Sequence, residues 1–372
     1  MKRLVFLVTH GVTANILLRG QLRFLRERGF DVTVIASSGP DLDAVREREG
    51  VVTVGVPMSR SVRLHEGPRV LATIAHALRR VDPDIVNAST SKAGLLGMLA
   101  SFGLRVPRRV YLVRGLRFEG YVGAKRLLLE QAERTASACA TDVVCVSPSV
   151  ADALVRERLA PKRKIAVIPS NGIDPRRFRA RDDTREDAAR VRREYGIPPD
   201  AFVAGFVGRL VVDKGVGDML DAIDRVPDAW FLVVGGDMAG DTLPPATAKR
   251  LHAHARVAHA GKVAEPAPYY AAMDALLFAS YREGLPNVPL EAAASELPVV
   301  GYRVTGVVDA VEDGVTGTLV PMKDSRALGD ALLRYAQQPG LRAAHGAAGR
   351  ARVLQRFTQA ATWTAWQSLY ER

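Results

Sequence analysis

Cysteine is nearly absent: two residues in a chain of 372 cannot supply a disulfide framework. Cys139 and Cys145 share one apolar stretch, "ASACATDVVCV", with no second ligand at metal spacing, so both read as small buried hydrophobes in a reduced compartment. Long apolar runs are missing as well. The longest, such as "AGLLGMLASFGL", fall short of the roughly 18 to 20 residues a spanning helix needs. The opening "MKRLVFLVTH" has only a five-residue apolar run and lacks a small-residue cleavage site, which predicts a buried first strand and no leader. Aromatics are only 6% and do not interleave with the basic residues, which argues against a nucleic-acid partner. The seven histidines show no metal spacing; His252, His254 and His259 read as surface or core, and only His10 invites a test. No short-period repeat and no low-complexity tail is present.

Acidic residues are scarce in one half. Residues 1–180 hold 30 Lys/Arg against 16 Asp/Glu, a formal +14, while the remainder holds 22 against 24. Such an excess can reflect arginine-rich coding alone. Its sharper reading is a surface that meets anionic lipid or a pyrophosphate-bearing substrate.

What is present is alternation. Val- and Ile-rich runs ("RLVFLVT", "DVTVIAS", "VVTVGVP", "DIVNAS", "RVYLVR", "DVVCVS", "KIAVIPS") are separated by helical stretches such as "NILLRGQLRFLRERG", and a second series follows: "FVAGFVGR", "AWFLVVGG", "VAHAGKV", "ALLFAS", "LPVVGY", "GTLVP". This predicts an α/β protein of two Rossmann-like domains with parallel sheets facing across a cleft. The expected divisions are 1–176, 177–350 and a C-terminal helix over 351–372 that packs back on the first domain, with the opening of the charged segment 174–200 as the connection.

In such sheets ligands lie outside the carboxyl ends of the strands, so loops that follow strands carry the chemistry. In "FVGRLVVDKGV", Gly208-Arg209 ends a strand and Lys214 precedes a helix; the two cations can converge on a diphosphate, or read equally as two solvated surface charges. The glycine spacing is not that of a Walker loop. In "YREGLPNVPLEAAAS", Glu283 follows a strand, Gly284-Leu285-Pro286-Asn287 turns, and Pro289 and Glu291 fall in an expected first helical turn capped by Asn287 or by a backbone group just after it. The bland reading is one loop acid and one acid favoured by the helix dipole. After the first strand, "THGVTANILLRG" offers Gly11, Thr13 and Asn15, with Thr13 or Asn15 as a plain N-cap in the simpler account. After "RVYLV" comes Arg114, with Arg117 and Glu119 nearby.

Together these stretches resemble the family 4 retaining glycosyltransferases of the GT-B type. The resemblance rests on "GRLVVDKG", on the Glu-x7-Glu pair Glu283 and Glu291, on "IPSNGIDPRRF", on "VSPS" at 146–149 and on "VVGYRVTGVVDAVEDGVTGTLVP", and it covers nearly the whole chain. It implies a nucleotide-sugar donor, with a UDP-sugar favoured over GDP-mannose, and neither a cofactor nor a metal. Arg209 and Lys214 would neutralise the donor diphosphate, Glu283 would hold the donor sugar, Glu291 the ribose, and the backbone of Gly208 and of Gly284 to Asn287 the phosphate and sugar. Gly11, Thr13, Asn15, Arg114 and Asn171 are further candidate contacts to donor or acceptor. Arg114 stands where many relatives carry His, and Asn87 and Ser89 where relatives often carry histidines, while Lys92-Ala93-Gly94 is kept. Arg cannot serve as an acid or base, so the His role does not transfer. The resemblance further implies an undecaprenyl-diphosphate-linked or other saccharide acceptor in bacterial surface-glycan assembly. The expected location is the cytoplasmic face of the inner membrane, held peripherally on its anionic surface. Rival readings are a GT-B epimerase or phosphorylase and a nucleotide-sugar-binding scaffold without turnover; a phosphorylase would need a cofactor or phosphate lysine site, and this sequence shows none.

Overall fold

Each of the apolar runs becomes a strand. Those of the first half are β1 (Lys2–His10), β2 (Phe30–Ser37), β3 (Val52–Gly55), β4 (Ile85–Ser89), β5 (Arg108–Val113), β6 (Asp142–Cys145) and β7 (Ile165–Val167). Those of the second are β8 (Val203–Val207), β9 (Trp230–Val234), β10 (Val257–Gly261), β11 (Ala275–Phe278), β12 (Val299–Tyr302) and β13 (Gly317–Val320). The computed structural model describes residues 1–58, 67–169, 172–237 and 242–372. Contacts divide the chain into one unit of Met1–Asn171 with Ala360–Arg372 and another of Gly172–Gln359.

In the first unit the strand order is β3-β2-β1-β4-β5-β6-β7, in the second β10-β9-β8-β11-β12-β13, and every pairing is parallel. Both are Rossmann orders, reversing beside β1 and beside β8. The central strands are buried along their length, as in Leu4–Thr9 of β1 and all of β4, because helices cover both faces. That is why they read as unbroken apolar runs rather than as alternation. Cys145 lies buried in β6, where burial pushes its thiol up to about 12, and Cys139 is half-buried.

Two expectations are modified. The helix expected over "NILLRGQLRFLRERG" is two, Gly11–Leu17 and Gln21–Glu27, broken at Gly20, whose φ of 80° is left-handed. The buried Glu49 carboxylate accepts from Gly20 N at 3.0 Å and Arg23 N at 3.2 Å, satisfying amides that the break exposes. The charged segment after residue 174 is tied into the second unit: Arg181 donates to Met273 O at 2.7 Å and Arg181 N to Glu296 Oε2 at 3.0 Å. Arg181 and Arg192 both reach the buried Asp274, at 3.2 and 2.9 Å.

The chain crosses between units at two neighbouring points, where Ile173 N donates to Phe357 O at 2.7 Å and Gln359 N to Ile173 O at 3.0 Å. The last helix, Gln359–Glu371, is anchored in the first unit by buried aromatics. Asn87 Nδ2 donates to the Tyr370 hydroxyl at 2.6 Å, Lys2 Nζ to Tyr370 O at 3.0 Å, and Trp366 Nε1 to Pro169 O at 3.3 Å. Among the described residues no helix is long and apolar enough to cross a membrane.

Candidate functional site

In the second unit, glycines let four loops stack at the carboxyl ends of β8, β9, β11 and β12. A Cβ on Gly235 (φ +141°) would overlap Gly208 O, and one on Gly306 (φ +78°) would overlap Gly284 O. Both backbones are left-handed, and neither contact leaves room for a side chain. The residues expected to hold a donor are thereby gathered on one edge of the sheet.

Lys214 closes a short turn, Val212–Lys214, before the helix Val216–Asp224. That turn is bound to the loop after β11: Tyr281 N donates to Asp213 O at 2.9 Å, and Arg282 Nη2 to Asp213 Oδ2 at 2.7 Å. The Lys214 ammonium pairs with Glu283 Oε1 and lies 5.5 Å from the centre of the Phe278 ring. Asp218 adds a second brace, accepting from Tyr281 Oη at 2.9 Å and Tyr302 Oη at 2.7 Å. Burial and this carboxylate raise both phenols far above their ordinary value. Arg209 is exposed on the neighbouring loop, whose course is set by Leu210 N donating to Gly236 O at 3.0 Å.

The helix expected after "GLPN" runs Asn287–Ala294. Pro286, in extended backbone, precedes it and no side chain caps it, so Asn287 is its first residue and not its cap. Glu291 falls in the second turn, one position too deep for the first-turn dipole role. Its partner is instead Tyr270, wholly buried edge-on to Phe178, which donates to Glu291 Oε2 at 2.7 Å. Burial raises the Glu291 carboxyl, opposed by the Tyr270 bond and by Arg177. Tyr270, Asp218 and Tyr302 were not expected at the site. Tyr270 sits in "PAPYYAAM", which carries no site motif, and only the fold brings it beside the helix.

A cavity of about 760 Å³ lies at the other end of this sheet, lined by residues that include Arg181, Arg192, Asp274 and Arg342. The guanidinium groups of Arg181, Arg192 and Arg342 are engaged with Asp274 and with carbonyls of Met273, Ala272, Ala201 and Tyr335. It is a structural network.

In the first unit, Gly11 opens the helix Gly11–Leu17 against Leu42, and Thr13 and Asn15 lie inside that helix rather than capping it. Asn15 Nδ2 donates to Asp41 Oδ1 at 2.8 Å, and Arg48 donates to both Asn15 oxygens. Arg114 Nε donates to Ser89 Oγ at 3.3 Å; burial lowers its pKa to about 10, so it stays a cation at neutral pH. His10 Nδ1 lies 3.3 Å from Ser37 Oγ. Thr90 was not anticipated. It adopts φ +71°, rare for a β-branched residue, and its hydroxyl meets that of Thr9 at 2.6 Å. Asn171 lies outside the described residues.

The chain matches known families over both of its units. Residues 201–338 match the family model described as glycosyl transferases group 1, and residues 15–177 that of glycosyltransferase family 4. The capsular polysaccharide biosynthesis glycosyltransferase CapM of Staphylococcus aureus is 32% identical over 361 residues, covering 95% of this chain and 93% of that protein. The chain is a family 4 glycosyltransferase. The transferase is also 26% identical to the Escherichia coli UDP-Gal:alpha-D-GlcNAc-diphosphoundecaprenol alpha-1,3-galactosyltransferase, over 84% of this chain and 82% of that one. Its fold is GT-B: Anabaena HepE, solved with UDP and glucose, superposes with a TM-score of 0.84 at 21% identity, each chain covered fully. Sucrose-phosphate synthase of Thermosynechococcus elongatus gives 0.82 at 21%, over 100% of the transferase and 98% of that chain.

Proposed function

We propose that the transferase moves a hexose or N-acetylhexosamine from a UDP-sugar to a hydroxyl of a lipid-linked or other saccharide acceptor, with retention at the anomeric carbon, in bacterial surface-glycan assembly. The observation that carries this reading is that the loop and helix following β11 hold both acids in specific pairs, Glu283 with Lys214 and Glu291 with Tyr270. Arg209 and Lys214 take up charge as the diphosphate leaves, Glu283 holds sugar hydroxyls, and Glu291, with one oxygen bound to Tyr270, offers the other to the ribose. The backbone of Gly208 and of Gly284 to Asn287 borders the phosphate and sugar. The bond from the anomeric carbon to the phosphate oxygen breaks, the acceptor oxygen bonds to that carbon on the same face, and its proton passes to the leaving phosphate. Two protein cations supply the electrostatic stabilisation that a metal gives elsewhere, so turnover is expected to survive chelators. Within the first unit, Gly11, Thr13 and Arg114 are proposed as substrate contacts, Arg114 for an anionic group.

Support for UDP comes from HepE, solved with UDP-glucose, and for a diphosphoundecaprenol acceptor from the E. coli relative. The +14 of residues 1–180 supports peripheral docking on the anionic cytoplasmic face of the inner membrane, as do exposed Leu127 and Leu128 beside Lys125 on the helix Gly123–Cys139. The test is a thermal-shift panel of UDP, GDP and their sugars, followed by transfer assays with saccharide and polyprenyl-diphosphate acceptors. A UDP-dependent rise of the midpoint and an α-linked product from an α-linked donor are expected. An unmoved midpoint with every nucleotide sinks the donor-site assignment, and binding without turnover points to a scaffold.

A further inference from the structure

Resting on the donor-site reading, we propose that Glu283 competes with the donor's diphosphate for Lys214, so that the site holds an intact nucleotide sugar in preference to the nucleoside diphosphate left after transfer. Lys214 already has a protein partner: the ammonium is paired with Glu283 Oε1, and the two side chains are only 19% and 14% exposed. Both partners are held from outside the pair. The lysine turn is bonded to the Glu283 loop through Asp213 with Tyr281 N and Arg282, and Tyr281 is braced on Asp218.

A ligand that carries only a diphosphate must draw Lys214 away from this partner. It then leaves a largely desolvated carboxylate without its cation and next to an anion, an arrangement that low local dielectric makes costly. A nucleotide sugar draws Lys214 away too, but its hydroxyls donate to Glu283 and replace what the ammonium supplied. The same carboxylate therefore favours substrate and disfavours product. After transfer the sugar leaves with the acceptor, Glu283 regains its claim on Lys214, and the nucleoside diphosphate is released. Discrimination arises here from a repulsive element exposed when the wrong ligand binds.

The experiment is calorimetry on the full chain and on Glu283→Gln, Lys214→Met and the double variant. Titrants are UDP and whichever of UDP-glucose, UDP-galactose and UDP-N-acetylglucosamine the wild type binds best. If GDP binds and UDP does not, GDP and GDP-mannose replace them. Glu283→Gln is expected to tighten UDP about three- to ten-fold while weakening the nucleotide sugar, so that the preference collapses. In the Lys214→Met background the Glu283→Gln step is expected to change UDP affinity less than about two-fold, because nothing is left to compete for. A single cooperative melting transition in each of the four proteins establishes that all are folded. Equal or weaker UDP binding by Glu283→Gln overturns the inference and leaves the donor site standing. Equal tightening in the Lys214→Met background also overturns it, because that marks general repulsion and not competition. Failure of the wild type to bind either diphosphate overturns the donor-site reading, and this inference with it.

Discussion

The carboxyl edges of the two sheets share a topology and differ in what their side chains do. At the edge of β8 to β12, charged residues bond to one another: Lys214 to Glu283, and Asp213 to Arg282. At the edge of β1, β4 and β5 the polar residues are engaged by the scaffold: Asn15 by Asp41 and Arg48, Asn87 by Tyr370, Thr90 by Thr9. One strand order thus supports a cluster whose ion pairs can be exchanged for a ligand and another whose hydrogen bonds hold helices in place. Fold alone assigns no function to a loop; the partners of its side chains do.

The contrast can be broken most severely at Lys214. Lys214→Met is expected to lower kcat/KM for transfer about a thousand-fold, as loss of a charge-stabilising group does. Asn15→Ala should do the reverse, leaving the donor KM within about two-fold and costing about 1–2 kcal/mol in urea unfolding. A raised KM at unchanged stability would instead place Asn15 against a substrate. Gly306→Val forces a branched side chain into a left-handed backbone and onto Gly284 O, and is expected to cost about 3 kcal/mol and to abolish UDP binding.

A third comparison uses pH. Glu133, buried in the first unit under the Tyr111 hydroxyl at 2.6 Å, has its carboxyl raised by burial to about 7. Between the ordinary carboxylate pKa and 7 the folded state binds more protons than the unfolded one, so stability falls as pH rises through that window. Glu133→Gln should flatten the melting temperature between pH 5 and pH 7.5, a change on the order of 2 kcal/mol. An unchanged slope would show that Glu133 does not control it. The smallest effect is expected for Tyr270→Phe, which removes one hydrogen bond to Glu291 and should raise the donor KM about three- to ten-fold with kcat held.

The central strands were legible because parallel strands buried on both faces are apolar along their length, whereas the less buried β3, β7 and β10 were picked out by their place in the alternation with helices. Helix ends were less legible. Gly20 breaks a helix whose apolar period continues across it, and the reason, the Glu49 carboxylate, lies in another element. At the site, the acids and cations of "GRLVVDKG" and "EGLPNVPLE" could be picked out by spacing, yet Glu291 came one position past the first turn where it was expected, and Tyr270, Asp218 and Thr90 carried no signal. Those three matter through partners 21, 63 and 81 residues away along the chain, a separation that no local pattern spans.

The amino-acid sequence by itself determined the α/β class, the strands of two parallel sheets and the residue types available for a diphosphate and a sugar. These follow from periodicity, composition and loop position, each a property of contiguous residues. Only the tertiary structure decided that Lys214 faces Glu283, that Tyr270 holds Glu291, and that Asn87 anchors the last helix through Tyr370. Hydrogen bonds and ion pairs act over about 3 Å, and which groups come that close is settled by packing.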